Sequence, residues 1–229
     1  MKFAVIGNPI DKSLSPQLHE ILYEKLNLLN CSFEKIHLEN DKLDDFFNND
    51  FGLFNGINVT IPFKSRVVKF LDAVDDEAKI LDNVNCISKS NNMICGFNTD
   101  KYGFDMLLNE NSIDIEGSSC VVLGAGSSAK TVVKCLIDKG IGRIIIKNRS
   151  IDNAHNLQNF AHTLGFNNID LFNSNHASYD IAINTILTIT SLAIKLFFPS
   201  SERISILDFP DESNLPLIHV SSPLLNALA

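Results

Sequence analysis

The fold is decided by the stretch Cys120-Val121-Val122-Leu123-Gly124-Ala125-Gly126-Ser127-Ser128-Ala129. Four apolar residues predict a buried strand, which runs into a glycine-rich turn and then into a helix that continues to Lys139. Gly140 and Gly142 end this helix, and Arg143–Ile146 forms the next apolar run. A strand, a glycine turn, a helix and a second strand in this order predict the dinucleotide-binding unit of a Rossmann-type fold.

Within the turn, Gly124 permits the tight bend and Gly126, which has no Cβ, lets the backbone approach a pyrophosphate. Ala129 is small enough for the helix to pack closely on the strand. The helix N-terminus favours an anion, because its N–H groups and its dipole point there. We therefore predict six cofactor-binding residues here: Gly124, Ala125, Gly126, Ser127, Ser128 and Ala129. The alternative is a glycine-rich turn that holds no ligand.

The end of the second strand predicts which dinucleotide is bound. A site for NAD usually places Asp or Glu there, to hold the ribose 2′-hydroxyl. This chain instead has Lys147-Asn148-Arg149-Ser150, and its next carboxylate is Asp152. The guanidinium of Arg149 suits a 2′-phosphate, to which Lys147 and Ser150 can add contacts. This pattern favours NADP as the cofactor, whereas a solvated loop cation at Arg149 would be the simpler alternative.

Short strand and helix patterns alternate along the whole chain. Helices are predicted from Ser15 to about Leu28, after Pro62, and over Thr99–Asn109. The remaining predicted elements are the strands Lys2–Ile6, Ser32–Leu38, Asn58–Thr60, Asp180–Ile183 and Ile204–Leu207, and the hairpin of Val84–Ser88 with Met93–Phe97 around Asn91-Asn92. Such alternation predicts an α/β fold: an N-terminal α/β domain followed by a Rossmann-type, doubly wound parallel-sheet domain.

Composition excludes several classes of protein. The 229 residues suffice for two domains, and a net charge of −8 argues against nucleic-acid binding. Five cysteines without a C-x-x-C pair predict neither a disulfide framework nor a zinc site, and no His/Cys/Asp cluster has the spacing of metal ligands. No signal peptide is evident, and no apolar run reaches the roughly 18 residues of a membrane span. We expect a cytoplasmic protein that needs no metal.

Two serines stand just before the first helix, in the segment from Gly7 to His19. Ser15 precedes Pro16, which suits the first helical position, so capping explains Ser15. Capping does not explain Ser13. Together the two hydroxyls and the nearby backbone N–H groups can cradle a carboxylate.

Four segments ahead of the dinucleotide unit, in this order, resemble the shikimate dehydrogenase family. The resemblance covers about residues 3–150. The segments are Gly7-Asn8-Pro9-Ile10-Asp11-Lys12-Ser13-Leu14-Ser15-Pro16, Asn58-Val59-Thr60-Ile61-Pro62-Phe63-Lys64, Val84-Asn85-Cys86-Ile87 and Gly96-Phe97-Asn98-Thr99-Asp100-Lys101.

The resemblance implies reversible reduction of 3-dehydroshikimate to shikimate with NADPH. It implies that Lys64 and Asp100 are the catalytic pair, and that Asn148-Arg149-Ser150 contacts NADP. Residues 1–101 would form the substrate-binding and catalytic domain, and residues 102–229 the NADP-binding Rossmann domain. The implied substrate ligands are Ser13 and Ser15 for the carboxylate, and Thr60, Asn85 and Asp100 for the ring hydroxyls.

The last third departs from the family pattern. After Ile183-Asn184-Thr185 the family continues with Thr-Pro-Leu-Gly-Met or a close variant, where this chain has Ile186-Leu187-Thr188-Ile189. Asp208-Phe209-Pro210 replaces a segment with tyrosine, and the family's glutamine-bearing stretch and closing C-terminal helices are not found before Ala229. Because the family's closing helices normally cover the substrate domain, we expect a bare apolar surface on that domain, which a second copy in a homodimer would cover.

Three alternatives to an NADP-dependent shikimate dehydrogenase stay open at this stage. One is a quinate or mixed quinate/shikimate dehydrogenase, and another is an enzyme that uses NAD. The third is a catalytically weak or inactive relative that only binds ligand, which the altered last third favours and the retained Lys64 and Asp100 disfavour.

Overall fold

A computed structural model describes residues 1–172, residues 179–186 and the backbone of residues 196–197. The chain divides into two compact units: residues 1–102 form the first, and the second begins at Gly103. Among the described residues, no helix combines the length and the apolar character needed to cross a lipid bilayer.

The first unit is built on a six-stranded sheet with the order β2-β1-β3-β5-β6-β4. Strand β1 pairs in parallel with both β2 and β3, whereas β5 is antiparallel to both β3 and β6. The strands are β1 (Lys2–Gly7), β2 (Ser32–His37), β3 (Gly56–Val59), β4 (Ala73–Val74), β5 (Cys86–Ser90) and β6 (Met93–Phe97). The α-helices are α1 (Ser15–Lys25), α2 (Leu43–Asp45) and α3 (Asp76–Leu81), and α4 (Asp100–Glu110) begins in this unit.

One face of this sheet carries the core of the first unit. Ala4 and Ile6 of β1, both fully buried, pack with Phe46, Phe51 and Phe54 from the helical segment around α2. That segment continues from α2 as a π-helical turn (Phe46–Asp50) and a 3-10 turn (Phe51–Leu53). Alternating side chains of a strand point to opposite faces, so β1 also supplies the residues that α1 covers on the other side.

Helix α1 is held mainly by aromatic contacts. The ring of His19 stacks on Phe33 of β2 with 3.9 Å between centroids, and it lies 5.6 Å from the ring of Tyr23. Burial lowers the pKa of His19, because the apolar surroundings disfavour its charged form. His19 is therefore a packing residue of this helix.

Two local predictions for the first unit have different outcomes. The predicted hairpin is confirmed, since β5 and β6 pair across Asn91 and Asn92, which both adopt positive φ angles. The helix predicted after Pro62 is wrong: a 3-10 helix (Arg66–Phe70) follows instead. Phe63 is completely buried, and its N–H and C=O groups form i→i+3 hydrogen bonds, so tight turns hold its ring in the core.

The second unit contains a five-stranded sheet with the order β11-β10-β7-β8-β9. Strands β10, β7, β8 and β9 are parallel, and β11 pairs antiparallel with β10. The strands are β7 (Ser119–Leu123), β8 (Arg143–Lys147), β9 (Ile169–Leu171), β10 (Ile181–Asn184) and β11 (Leu196–Phe197), and the helices that follow α4 are α5 (Ser127–Asp138) and α6 (Ile151–Thr163).

Crossover helices α5 and α6 connect successive parallel strands, as the apolar runs predicted. The fully buried Val122, Val133 and Ile144 place the core between sheet and helices. The predicted α/β fold with a Rossmann-type parallel sheet is confirmed. The predicted strand at Asp180–Ile183 corresponds to β10, and the one at Ile204–Leu207 lies outside the described residues.

Candidate active site

Lys64 and Asp100, which are 36 residues apart in sequence, meet in the first unit. Lys64 follows the turn after β3, and Asp100 is the first residue of α4. Nζ of Lys64 lies 2.5 Å from Oδ2 of Asp100. The two side chains are 13% and 21% exposed, so the ion pair is shielded yet reachable by a small molecule. A lysine held in this way can give or take a proton at one defined position.

Asn85 fixes the other oxygen of the same carboxylate. Its Nδ2 donates to Oδ1 of Asp100 at 2.7 Å and to Oγ1 of Thr99 at 2.8 Å. Its Oδ1 accepts from the backbone N–H of Thr99 at 2.8 Å. The preceding residue is tied to the lysine segment, because the N–H of Val84 donates to the carbonyl of Lys64. Three predicted residues, Lys64, Asn85 and Asp100, therefore form one cluster.

Ser13 lies two residues before Ser15, the first residue of α1, and their hydroxyls face each other. The N-cap position is Leu14 and no side chain caps this helix, so the capping predicted for Ser15 is wrong. The Ser13 hydroxyl donates to Oγ of Ser15 at 3.1 Å and accepts from the N–H of Ser15 at 3.3 Å. Ser15 is 2% exposed, and Ser13 is half-buried. The Lys35 ammonium donates to the carbonyl of Asp11 at 2.8 Å, which anchors this loop to β2. The two hydroxyls therefore lie side by side on a loop that Lys35 anchors to β2.

Gly7 lies where the loop that carries the two serines (residues 8–15, the serine loop) meets the segment that carries Thr60. The N–H of Asn8 donates to the carbonyl of Ile61, and the N–H of Thr60 donates to the carbonyl of Ile6. A Cβ on Gly7 would lie 2.9 Å from Cδ1 of Ile10 and even closer to Cγ2 of Thr60. Because β1 and β3 are adjacent and parallel, both segments leave the same edge of the sheet. The close backbone approach at Gly7 therefore sets the spacing of these two segments of the candidate site. Gly7 opens the first family segment, but the sequence assigned it no role of its own.

Gly7→Ala is expected to raise the KM for shikimate, the substrate that the family resemblance implies, at least about tenfold, because the added methyl group pushes apart the segments that carry Ser13 and Thr60. Steady-state kinetics measure this effect. Gly52→Ala is the matched control, because a Cβ at Gly52 would meet nothing within 4 Å. An unchanged KM in Gly7→Ala would show that the close approach does not shape the site.

In the second unit the predicted glycine turn joins β7 to α5. Gly124 has a φ of 106°, and a Cβ there would lie 2.5 Å from Oγ1 of Thr185. Gly126 is the residue before α5, and a Cβ there would meet nothing within 4 Å. Ala129 is fully buried against the core. Gly124 is thus required by the protein's own packing, whereas the space beside Gly126 is open to a ligand.

The remaining turn residues lie around the start of α5. Ala125 packs partly against the core, Ser127 and Ser128 begin the helix, and Ser128 is exposed. The departure predicted at residues 186–189 falls almost wholly outside the described residues. Thr185, immediately before it, donates from Oγ1 to the carbonyl of Leu123 at 2.8 Å.

Arg149 is exposed at the end of β8, and no hydrogen bond or ion pair engages its guanidinium within the described part of the chain. The neighbouring polar residues are occupied: Nδ2 of Asn148 donates to the carbonyl of Ser150, and Oγ of Ser150 caps α6 by accepting from the N–H of Asn153. The ammonium of Lys147 lies 4.7 Å from the centre of the Phe172 ring. Arg149 is therefore the cation of this set that is available to a ligand.

No group of three His, Cys, Asp or Glu side chains in the described ranges is arranged to hold a metal ion. The five cysteines all lie in described residues, and no two of them form a disulfide.

Two family models match the chain. The shikimate dehydrogenase substrate binding domain matches residues 5–87, and shikimate / quinate 5-dehydrogenase matches residues 107–196. The shikimate dehydrogenase (NADP(+)) of Nitrosopumilus maritimus is 35% identical over 190 residues, which are 80% of this chain and 68% of that protein. The chain belongs to the shikimate dehydrogenase family. The family resemblance predicted from the four motifs is confirmed.

Further members of the shikimate dehydrogenase family also match this chain in sequence and in structure. The protein of that name from Carboxydothermus hydrogenoformans is 39% identical over 157 residues, or 67% of this chain and 54% of the relative. The crystal structure of shikimate dehydrogenase from Aquifex aeolicus matches with a TM-score of 0.73 at 29% identity, covering 81% of this chain and 68% of that one. The Thermus thermophilus structure in complex with NADP(H) and shikimate matches with a TM-score of 0.71 at 29% identity, with the same two coverages. Matches to the Nitrosopumilus and Carboxydothermus proteins thus span 68% and 54% of their lengths.

Proposed function

We propose that this protein interconverts shikimate and 3-dehydroshikimate with NADP as the cofactor. The observation that carries the proposal is the shielded ion pair of Lys64 and Asp100, with 2.5 Å between Nζ and Oδ2. Relatives named shikimate dehydrogenase (NADP(+)) and the structure of one with NADP(H) and shikimate support the choice of substrate and cofactor.

Lys64 is the proton-transferring residue of the proposed reaction. When shikimate is oxidised, one hydroxyl loses its proton as the carbon that bears it loses a hydride, and uncharged Lys64 accepts the proton at Nζ. In the reverse direction the Lys64 ammonium stabilises the negative charge that builds on the ketone oxygen and then returns the proton. Asp100 keeps Nζ in one place, because Oδ2 holds the lysine while Oδ1 is held by Asn85.

Ser13 and Ser15 bind the substrate carboxylate in this proposal. Their hydroxyls bond to each other in the unliganded arrangement, and a carboxylate offers both of them a stronger, charged acceptor. Thr60 and Asp100 contact the ring hydroxyls. Asn85 contacts one of them as an acceptor at Oδ1, because both hydrogens of its amide are engaged within the protein. Thr60 is supported by its place at the sheet edge that also holds the serine loop.

The residues of the second unit fit NADP. The open space beside Gly126 and the N-terminus of the twelve-residue helix α5 suit the pyrophosphate. The Arg149 guanidinium offers a fork of donors for the 2′-phosphate, with Ser150 and Asn148 beside it. When bound, NADP takes up the hydride from the alcohol carbon or returns it.

Arg149→Ala is expected to raise the KM for NADP by roughly 10- to 100-fold, since one or two charge-assisted hydrogen bonds to the 2′-phosphate are lost. The KM for NAD, which lacks that phosphate, should change less than about twofold and serves as the internal control. Initial rates with each dinucleotide measure both values. Equal losses for NADP and NAD would assign Arg149 a structural role and remove the basis for NADP selection.

The experiment that tests the function follows the absorbance of reduced cofactor as purified protein is incubated with shikimate, first with NADP and then with NAD. The result expected is turnover that is faster with NADP. A parallel incubation with quinate tests whether the protein also oxidises quinate, since the second family model is named shikimate / quinate 5-dehydrogenase. No turnover above a Lys64→Ala control with either substrate would refute the proposed activity.

Location and assembly complete the proposal. A cytoplasmic protein is supported by five cysteines without a disulfide among them.

A homodimer is supported by the apolar side chains that α1 and its flanking residues expose, with Leu14 49%, Ile21 51% and Leu26 64% exposed. Analytical ultracentrifugation of the wild type and of Leu26→Glu tests the dimer.

A further inference from the structure

We propose that Thr99 is a positioning residue for the reaction: its hydroxyl and its backbone N–H hold the Asn85 side chain in the orientation that fixes Asp100. This inference rests on the proposed function. The family resemblance implies substrate binding for Asn85 and assigns no role to Thr99.

The orientation of the Asn85 amide follows from its neighbours. A backbone N–H can only donate, so the amide atom 2.8 Å from the N–H of Thr99 is the oxygen. An ionised carboxylate can only accept, so the atom 2.7 Å from Oδ1 of Asp100 is the nitrogen. The two constraints lie at opposite ends of the amide and agree, so a flipped amide would break both contacts.

Both hydrogens of the Asn85 amide are committed. One points to Oδ1 of Asp100 and the other to Oγ1 of Thr99. Asn85 is only 7% exposed, whereas Thr99 is exposed, so the Thr99 hydroxyl meets the amide from the solvent side. Without that hydroxyl the second amide hydrogen has no protein acceptor at a fixed position, and the amide is free to turn towards water.

Turning this amide would displace the catalytic pair. Asn85 holds Oδ1 of Asp100, and Lys64 is bonded to Oδ2 of the same carboxylate. A rotation of the carboxylate would therefore move the Nζ atom that exchanges the proton, and small displacements of a reacting group cost rate steeply.

Thr99 is itself firmly placed. The side chain of the preceding residue, Asn98, which is 8% exposed, donates from Nδ2 to the carbonyl of Asn83 at 2.8 Å. The N–H of Asn98 donates to Oδ2 of Asp75, and its Oδ1 accepts from the N–H of Lys101 at the start of α4. These bonds hold the backbone on both sides of Thr99, so the residue can position Asn85.

The test compares Thr99→Val with Thr99→Ser. Valine matches the shape of threonine and keeps the backbone N–H but lacks the hydroxyl, whereas serine keeps both. We expect Thr99→Val to lower kcat for shikimate oxidation about five- to tenfold, the rate equivalent of one hydrogen bond, with the KM for NADP unchanged within about twofold. Thr99→Ser should retain at least about half of the wild-type kcat. The solvent isotope effect on kcat should rise in Thr99→Val, because proton transfer becomes slower relative to the other steps.

Crystal structures of the two variants provide a readout that does not depend on activity. The distance from Nδ2 of Asn85 to Oδ1 of Asp100, 2.7 Å here, should lengthen or be lost in Thr99→Val and be kept in Thr99→Ser. An inactive wild type would refute the proposed function, while these distances would still decide the positioning role. A kcat of Thr99→Val equal to that of the wild type, serine behaving like valine, or an undisturbed Asn85 in Thr99→Val would each overturn the inference.

Discussion

Lys64→Met is expected to lower kcat for shikimate oxidation by about three orders of magnitude, the middle of the range for losing a proton-transferring side chain. Methionine is unbranched and one atom shorter than lysine, so it replaces the apolar stem and lacks only the ammonium, and packing around this mostly buried side chain is maintained. The ammonium that Asp100 holds is lost, and with it the group that takes the hydroxyl proton. Stopped-flow or steady-state measurement of reduced cofactor gives the rate.

Lys69→Met is the matched control for Lys64→Met. Lys69 lies in the 3-10 helix a few residues beyond Lys64 and also forms an ion pair, with 2.5 Å between its Nζ and Oδ1 of Asp44. Its side chain is 58% exposed, and exposed ion pairs contribute little, so the control should retain wild-type kcat. Similar rates for the two variants would mean that Lys64 is not the proton-transferring residue.

Gly126→Val is expected to raise the KM for NADP by about a hundredfold while leaving the fold intact, because about 3 kcal/mol of contacts to the pyrophosphate would be blocked. The backbone at Gly126 is extended, with φ −91° and ψ −167°, which a β-branched residue accepts. The space that its side chain would enter contains no protein atom within 4 Å of the Cβ position. Fluorescence titration with NADPH and thermal unfolding without cofactor separate binding from stability.

Gly52→Val serves as the control for Gly126→Val, since a Cβ at Gly52 also meets open space but lies in the first unit, outside the glycine turn. Its NADP affinity should equal that of the wild type. If Gly126→Val binds NADPH normally, the pyrophosphate does not occupy the space beside Gly126, and the assignment of the turn to the cofactor fails.

Periodicity and turn chemistry predicted the elements of the second unit because each depends on residues adjacent in sequence. Apolar runs gave β7 and β8, and the glycines between β7 and α5 lie where the spacing placed them. The hairpin was predictable for the same reason, since Asn91 and Asn92 tolerate the positive φ angles of its turn.

The fine structure of the candidate site could not be predicted in this way. The bond between Thr99 and Asn85 joins residues 14 apart, and the close approach at Gly7 involves Thr60, so both depend on tertiary structure. The distinction between Gly124 and Gly126 is also tertiary: Thr185 fills the space beside one and leaves the other open. Pro62 predicted a helix because proline suits a first helical turn, but the buried Phe63 ring held the segment in tighter turns.

The most direct test of the central claim uses shikimate deuterated at the carbon that carries the oxidised hydroxyl, incubated with the wild-type protein and NADP. We expect equimolar 3-dehydroshikimate and NADPH, with the deuterium recovered in the NADPH, and formation of both products about a thousandfold more slowly by Lys64→Met. Absence of both products in the wild type, or NADPH that contains no deuterium, would contradict the proposed hydride transfer from shikimate to NADP.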